Sequence, residues 1–228
     1  MVNDEARPAG EINIASAVLM TAVGGYIDAF LFLRHQVFGF AQTGNVIFLA
    51  VDLVKGGDWV QYVWPLLAYI AGLTCAQVLR TRRPDLPSRT VTAAMGFQVV
   101  VFAVLAVLPG TAPAALLVVT LSFVGGVRLE LFRAAAGISF VSIATTGNLM
   151  RAVEAIGDFV RGRSSDQLRA IALTVAVVVG FIGGAVAGAL LSQTVTHALW
   201  GAVLLEAASM AVFAAASRRP STAGGTPQ

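Results

Sequence analysis

The sequence predicts an all-α membrane protein, with six transmembrane helices and two re-entrant half-helix segments arranged as an inverted internal repeat. Three observations predict this fold. The chain is unusually apolar, one short polar motif occurs twice in similar surroundings, and the basic residues divide unevenly between the two sides of the predicted membrane.

The composition indicates that lipid is the main solvent. Of the 228 residues, 57% are hydrophobic and 12% are charged, whereas soluble domains carry about 25% charged residues. The mean hydropathy is +0.81. A soluble protein of this size could not bury so much apolar surface, so we expect the lipid bilayer to be its partner. The net charge of +3 is too small and too scattered to indicate nucleic-acid binding.

Neither the cysteine nor the histidines indicate a cofactor or metal site. Cys75 is the single cysteine, which excludes a disulfide within the chain. His35 and His197 lie far apart without the spacing of metal ligands. Because the sequence also has no nucleophile–base pair or nucleotide-binding loop, we do not expect an enzyme.

A repeat divides the chain into two units. Gln42-Thr43-Gly44-Asn45 returns as Thr145-Thr146-Gly147-Asn148, and a Gly-Gly pair precedes each copy, at 24–25 and 125–126. Such a repeat predicts two copies of one structural unit. The predicted organisation is a polar cytoplasmic N-terminus, two repeat units and a disordered cytoplasmic tail, at 1–13, 14–109, 112–216 and 217–228.

Eight apolar segments follow one another, at 14–33, 38–54, 62–79, 91–109, 112–131, 138–157, 169–191 and 197–216. About 20 apolar residues are needed to cross a bilayer. The two segments that contain Thr-Gly-Asn do not qualify, because one is short and ends at Asp52 and Lys55, and the other contains Arg151 and Glu154. A charge near the centre of a span costs about 2.5–3.5 kcal/mol.

The distribution of basic residues favours six crossings over eight. Eight crossings would divide the 15 basic residues almost evenly. If the two Thr-Gly-Asn segments instead dip into the membrane and return, only Arg34 and Lys55 lie outside, as the positive-inside rule expects. Both termini are then cytoplasmic. Each unit crosses three times, so the second copy is inverted, as in many transporters.

The length of the first re-entrant segment suits a turn at mid-membrane. Residues 38–42, extended at about 3.3 Å each, descend roughly 16 Å. Residues 45–55, helical at about 1.5 Å each, return the same distance. Both distances match half of a hydrocarbon core about 30 Å thick.

The two tripeptides are the predicted solute-binding residues: Thr43, Gly44, Asn45, Thr146, Gly147 and Asn148. The threonines can cap the half-helices, the glycines allow close backbone approach, and the asparagines offer donors and acceptors. Two converging helix N-termini would favour an anion or a neutral polar solute. The alternative is that the tripeptides only end and pack helices.

Two acids lie within predicted spans, and intramembrane acids usually face a cavity or a partner. Asp28 and Glu206 are therefore candidates for proton coupling, and Gln98 occupies the place of Glu206 in the first unit. Alternatively, Asp28 reaches interfacial water and Glu206 is protonated and bonded to a neighbouring helix. Arg128, with Glu130 and Arg133, is interpreted as marking the inner end of a helix.

Small residues four apart form one face on each of two spans, at Gly180, Gly184 and Gly188 and at Ala68, Gly72 and Ala76. Such faces allow helices to approach closely. They suit contact between the two repeats or between the subunits of a homo-oligomer.

The chain resembles the YoaK-type bacterial membrane proteins, which are defined by a domain of unknown function. The resemblance rests on Gly24-Gly25-Tyr26-Ile27-Asp28-Ala29, on the two Thr-Gly-Asn motifs and on Glu154-Ala155. It covers about 14–216 and implies a bacterial inner-membrane protein of about six spans. It does not imply any particular activity, because none is established for the family. The chain departs from the family pattern at Arg128-Leu129, where a Gln-Asn-like pair is expected, and at Gln98, where an acid is usual.

These observations favour a transporter or channel for a small polar or anionic solute that binds between the half-helix N-termini, with Glu206 and Asp28 as the candidates for proton coupling. The first alternative is a membrane scaffold that binds a partner without transport. An intramembrane enzyme has the least support, because no catalytic motif is visible.

Overall fold

The computed structural model describes residues 12–82, 87–109, 111–132, 134–135, 138–139, 146–162 and 166–218. Eight helices run through these residues: α1 (Ile14–His35), α2 (Gln42–Lys55), α3 (Val60–Arg82), α4 (Ser88–Ala106), α5 (Ala114–Leu131), α6 (Thr146–Val160), α7 (Asp166–Thr194) and α8 (Trp200–Ser217). Between α5 and α6, β1 (Ala134–Ala135) pairs antiparallel with β2 (Ile138–Ser139). The predicted polar N-terminus lies outside the described residues except for Ile12 and Asn13, as does the tail beyond Arg218.

Six helices are long and apolar enough to cross a membrane, namely α1, α3, α4, α5, α7 and α8. They match the six predicted spans to within a few residues, which confirms the prediction of a multi-pass helical membrane protein. Exposed apolar side chains form a stripe along α7 that suits contact with lipid chains: Val175, Val179, Ile182, Val186 and Leu190.

Four of the six long helices pack as two close pairs, α1 with α7 and α3 with α5, and α8 packs against α1 and α4. In both pairs the contact depends on the small-residue faces. A side chain at Gly184 would clash with the backbone of Ala22 in α1, and one at Gly72 would clash with the backbone of Phe123 in α5. Both faces are therefore used within the chain, between its first and second halves.

The two short helices pack at the sides of this bundle, α2 on α3 and α6 on α7. Helix α2 begins at Gln42, so Thr43-Gly44-Asn45 lies inside the first turn and not ahead of it. The predicted threonine cap is wrong for this copy, because Ala41 is the N-cap residue and no side chain bonds to the free N–H groups. The helix ends at Lys55, and its C-cap residue is Gly56, whose positive φ of 72° suits glycine.

Candidate functional site

A polar cluster formed by four helices lies inside the bundle, and we call it the Arg128 centre. It consists of Arg128 of α5, Gln98 of α4, Glu206 of α8 and the carbonyl group of Met20 in α1. Nη1 of Arg128 donates to Glu206 Oε2 and to Gln98 Oε1, both at 2.7 Å. Nη2 donates to the Met20 carbonyl oxygen at 2.8 Å.

The ion pair within the Arg128 centre is withdrawn from solvent. The side chains of Arg128 and Glu206 are both 0% exposed. Burying two charges costs several kcal/mol for each, and their attraction offsets this cost only when the remaining hydrogen-bonding groups are also satisfied. A buried pair of this kind is therefore poor evidence for stabilisation and calls for another explanation.

The hydrogen bonding of the Arg128 centre is incomplete. Three of its atoms are buried without a hydrogen-bond partner among the described residues: Nε of Arg128, Nε2 of Gln98 and Oε1 of Glu206. The great majority of buried polar side-chain atoms in proteins do have a partner. The centre thus has two unused donor groups and one unused acceptor, on side chains of α4, α5 and α8.

A second polar cluster, which we call the Asp28 anchor, holds the segment before α2. Oδ1 of Asp28 accepts hydrogen bonds from the backbone N–H groups of Gly39 at 3.0 Å and Phe40 at 2.8 Å. Oδ2 accepts from Ala41 N–H at 3.1 Å. Asp28 is 3% exposed. The carboxyl group therefore fixes three consecutive backbone amides of a loop that has no regular secondary structure.

Asn45 completes the Asp28 anchor from the first turn of α2. Its Oδ1 accepts from Phe38 N–H at 2.8 Å, while its Nδ2 donates to Phe38 O at 2.7 Å and to Gln42 Oε1 at 2.9 Å. Because the amide bonds both polar backbone groups of Phe38, it holds this residue as a neighbouring strand would. Asn45 is fully buried.

The loop held by the anchor lies between α1 and α5. Gly39 contacts Leu31 of α1, and the ring of Phe40 occupies the space beside Gly125 of α5. A side chain at Gly125 would clash with that ring. Gly125, in the second Gly-Gly pair, therefore makes room for a loop between α1 and α5, which explains why these two helices make little direct contact.

The predicted solute-binding residues have different surroundings. Thr43 and Thr146 are exposed, Gly44 packs against the ring of Phe38, and Asn45 and Asn148 are buried. Gly147, in the second copy, is half-buried. Since α2 packs on α3 and α6 packs on α7, no extensive interface joins α2 to α6 in the described part of the chain.

Among the three intramembrane polar residues that the sequence predicted, the structure brings Gln98 and Glu206 together and leaves Asp28 in the other cluster. Arg128 does lie in the last turn of α5, as its interpretation as a helix-end marker expected. Its side chain, however, is fully buried among four helices, which the sequence did not indicate. The sequence did contain a signal for this cluster. Arg128 and Gln98 are both departures from the family pattern, and the structure joins them by a hydrogen bond.

Comparison with protein families finds a match that covers most of the chain. The model of a family described as "Protein of unknown function (DUF1275)" matches residues 16–212. Comparisons with curated proteins and with solved structures found no match.

Proposed function

The chain belongs to the DUF1275 family, and we propose from its own geometry that it is a transporter or channel for a small anionic or polar solute. The Arg128 centre is its proposed binding site. The observation that carries the proposal is a fully buried arginine in a membrane protein, with hydrogen-bonding groups around it that the described chain does not use. Charged residues inside membrane proteins commonly mark the path of a substrate or an ion.

The chemistry of the Arg128 centre favours an anion. A guanidinium group is always charged, is weakly hydrated and presents several N–H donors in one plane. The unused Nε–H of Arg128 and the unused amide N–H groups of Gln98 add to this donor surface. Hydrogen bonds from such groups to an anionic oxygen are about twice as strong as those between neutral groups.

Glu206 is the proposed internal counter-ion for Arg128 and the candidate for proton coupling. One of its oxygens, Oε2, contacts the guanidinium group, whereas Oε1 has no partner in the described chain. A solute anion would compete with this carboxylate for the same cation. Protonation of Glu206 would favour the solute, because it removes the negative charge that the solute must displace.

The packing of the helices supports an inverted repeat. The first long helix of each unit packs on the third helix of the other unit, as α1 on α7 and α5 on α3. Close contacts at two glycines are consistent with this packing of each unit on the other. Gly25 of α1 lies against the backbone at Phe181 and Ala185, and Gly126 of α5 lies against the backbone at Tyr69 and Leu73. The structural counterpart of Gly72 is then Gly184.

We further propose that α2 and α6 are the re-entrant segments, with both termini cytoplasmic in the bacterial inner membrane. The positive-inside rule supports this orientation. The exposed apolar residues of α2, such as Val46, Ile47 and Val54, suit contact with hydrocarbon. Solute contact by the two Thr-Gly-Asn motifs stays a prediction.

Flux into proteoliposomes tests the proposed function. Purified protein is reconstituted, and uptake of chloride, nitrate, formate, acetate and phosphate is compared with uptake into protein-free vesicles. We expect uptake of at least one anion, and we expect it to be lost when both charges are removed by Arg128→Met with Glu206→Gln. Phe97→Leu, on the exposed side of α4, is the matched control. Equal uptake with and without protein for every anion would overturn the proposal.

A membrane scaffold without transport is the second candidate. It is favoured by the Asp28 anchor, in which, within the described residues, the hydrogen bonds of the Asn45 amide go to the protein's own loop and helix. On this alternative the doubly substituted protein would behave like the wild type in every flux measurement.

A further inference from the structure

A pocket lies between the start of α4 and the end of α8, at an end of the bundle that we call the basic end. The pocket has a volume of about 850 Å³. Its lining includes two arginines and three hydroxyl side chains: Arg89, Arg218, Ser88, Thr92 and Ser217. The stretch 80–89, which leads into α4, contains four arginines and a single acid. The pocket therefore lies in a region of net positive charge.

The two arginines of the pocket are free to bind a ligand. Both are exposed, and within the described residues the guanidinium groups of Arg89 and Arg218 form no ion pair or hydrogen bond. Arg80, by contrast, pairs with the buried Glu130. The N-terminus of α4 adds the positive end of a helix dipole, because its N-cap residue, Pro87, makes no side-chain hydrogen bond. The pocket thus offers charge that the described chain leaves unpaired.

The surface beyond the pocket is apolar and recessed. Ala93 and Ala214 line the pocket on the two helices. One turn further along α4, a β-carbon added at Gly96 would have one described atom within 4 Å, Sδ of Met210 at 3.6 Å. The exposed side of α4 then continues to Val100. From 89 to 100 the helix rises about 16 Å, which is about half of a hydrocarbon core roughly 30 Å thick.

We propose that this surface binds an anionic phospholipid, with the phosphate group between Arg89 and Arg218 and an acyl chain along α4 over Gly96. Arginine matches the geometry of a phosphate group and binds it through charge-assisted hydrogen bonds. Basic pockets between membrane helices on the cytoplasmic side bind anionic headgroups, and the proposed orientation puts the basic end on that side. A soluble phosphate would leave the recessed apolar surface unused, whereas a lipid fills it. The inference goes beyond the proposed function and does not depend on the Arg128 centre.

Lipid binding by the purified, delipidated full chain in a neutral detergent tests this site. Mass spectrometry of the intact complexes measures the affinities for phosphatidylglycerol and phosphatidylcholine with the same acyl chains. We expect phosphatidylglycerol to bind at least about fivefold more tightly. Arg89→Gln with Arg218→Gln should bring the two affinities together. The matched control, Arg161→Gln with Arg169→Gln, removes the same charge from two other exposed positions and should keep the preference.

Glycerol phosphate, which has the headgroup without acyl chains, is the second probe. We expect it not to displace phosphatidylglycerol at an equal concentration, and displacement would overturn the lipid assignment in favour of a soluble phosphate. Equal affinities for the two lipids in the wild type, or a preference that survives in the Arg89 and Arg218 double variant, would also overturn the site. Gel filtration verifies that each variant is folded. Because no flux is measured, a protein without transport could still show the lipid preference, and a transporter could lack it.

Discussion

The Asp28 anchor and the Arg128 centre are both buried polar clusters inside the bundle, but they differ in how fully their polar atoms are hydrogen-bonded. Each oxygen of Asp28 accepts at least one backbone hydrogen bond, and Asn45 uses both ends of its amide. At the Arg128 centre, three side chains each retain a buried atom without a partner in the described chain.

The difference in hydrogen bonding suggests different roles for the two clusters, one in holding the fold and one in binding. A complete network rigidifies the segment that it holds, because every group would lose a partner if the segment moved. An incomplete network costs free energy in the resting protein, and such a cost is commonly found at functional sites. We therefore propose a structural role for the Asp28 anchor and a binding role for the Arg128 centre.

The largest loss of stability should follow Asp28→Ala. The substitution leaves the N–H groups of Gly39, Phe40 and Ala41 unpaired, and each unpaired buried donor costs about 1–3 kcal/mol. Thermal unfolding in detergent measures the effect. Asp28→Asn, which keeps one acceptor oxygen, should lose less. If Asp28→Ala unfolds at the wild-type temperature, the anchor does not hold the loop.

Glu206→Leu should cost about 3–5 kcal/mol, because it leaves Arg128 as an uncompensated buried charge. Adding Arg128→Met should recover most of this loss, since replacing both partners of a buried pair is often neutral. Unfolding of the single and double variants forms a mutant cycle. Additive losses would contradict the coupling between the two side chains.

A smaller, local loss of stability should follow Asn45→Ala, which removes the hydrogen bonds between the Asn45 amide and the backbone of Phe38. We expect a loss of about 1–3 kcal/mol for the buried groups left unpaired. Faster amide hydrogen exchange at residues 38–41, with unchanged exchange in α7, would report it. Uniform acceleration throughout the protein would instead indicate a global role for Asn45.

The smallest effect should come from the side of α4 that faces away from both clusters. Phe97 is 56% exposed, so Phe97→Leu should change the free energy of unfolding by no more than about 0.5 kcal/mol. Thermal unfolding measures this change as well. A loss comparable to that of Asn45→Ala would show that Phe97 has a packing partner in the membrane, such as a second copy of the chain.

The sequence was sufficient to predict the six long helices, because the apolar content of each span can be read locally. It also identified Gln98 and Glu206 as a related pair, and they meet at Arg128. It missed the inward turn of Arg128, since the length of a span does not report the direction of a side chain near its end. The threonine cap failed for a similar reason, because Asn45 and Asp28 hold the loop through contacts that no local pattern reveals.

Stabilisation by anions tests the central claim, that the Arg128 centre is a binding site, most directly. A ligand that binds only the folded state stabilises it by about 2.7 kcal/mol at one hundred times its Kd. We expect the Tm of the purified protein to rise with at least one small anion, to rise equally in Asp28→Asn, and to stay unchanged in Arg128→Met with Glu206→Gln. An equal rise in the doubly substituted protein, or no rise with any anion, would contradict the assignment.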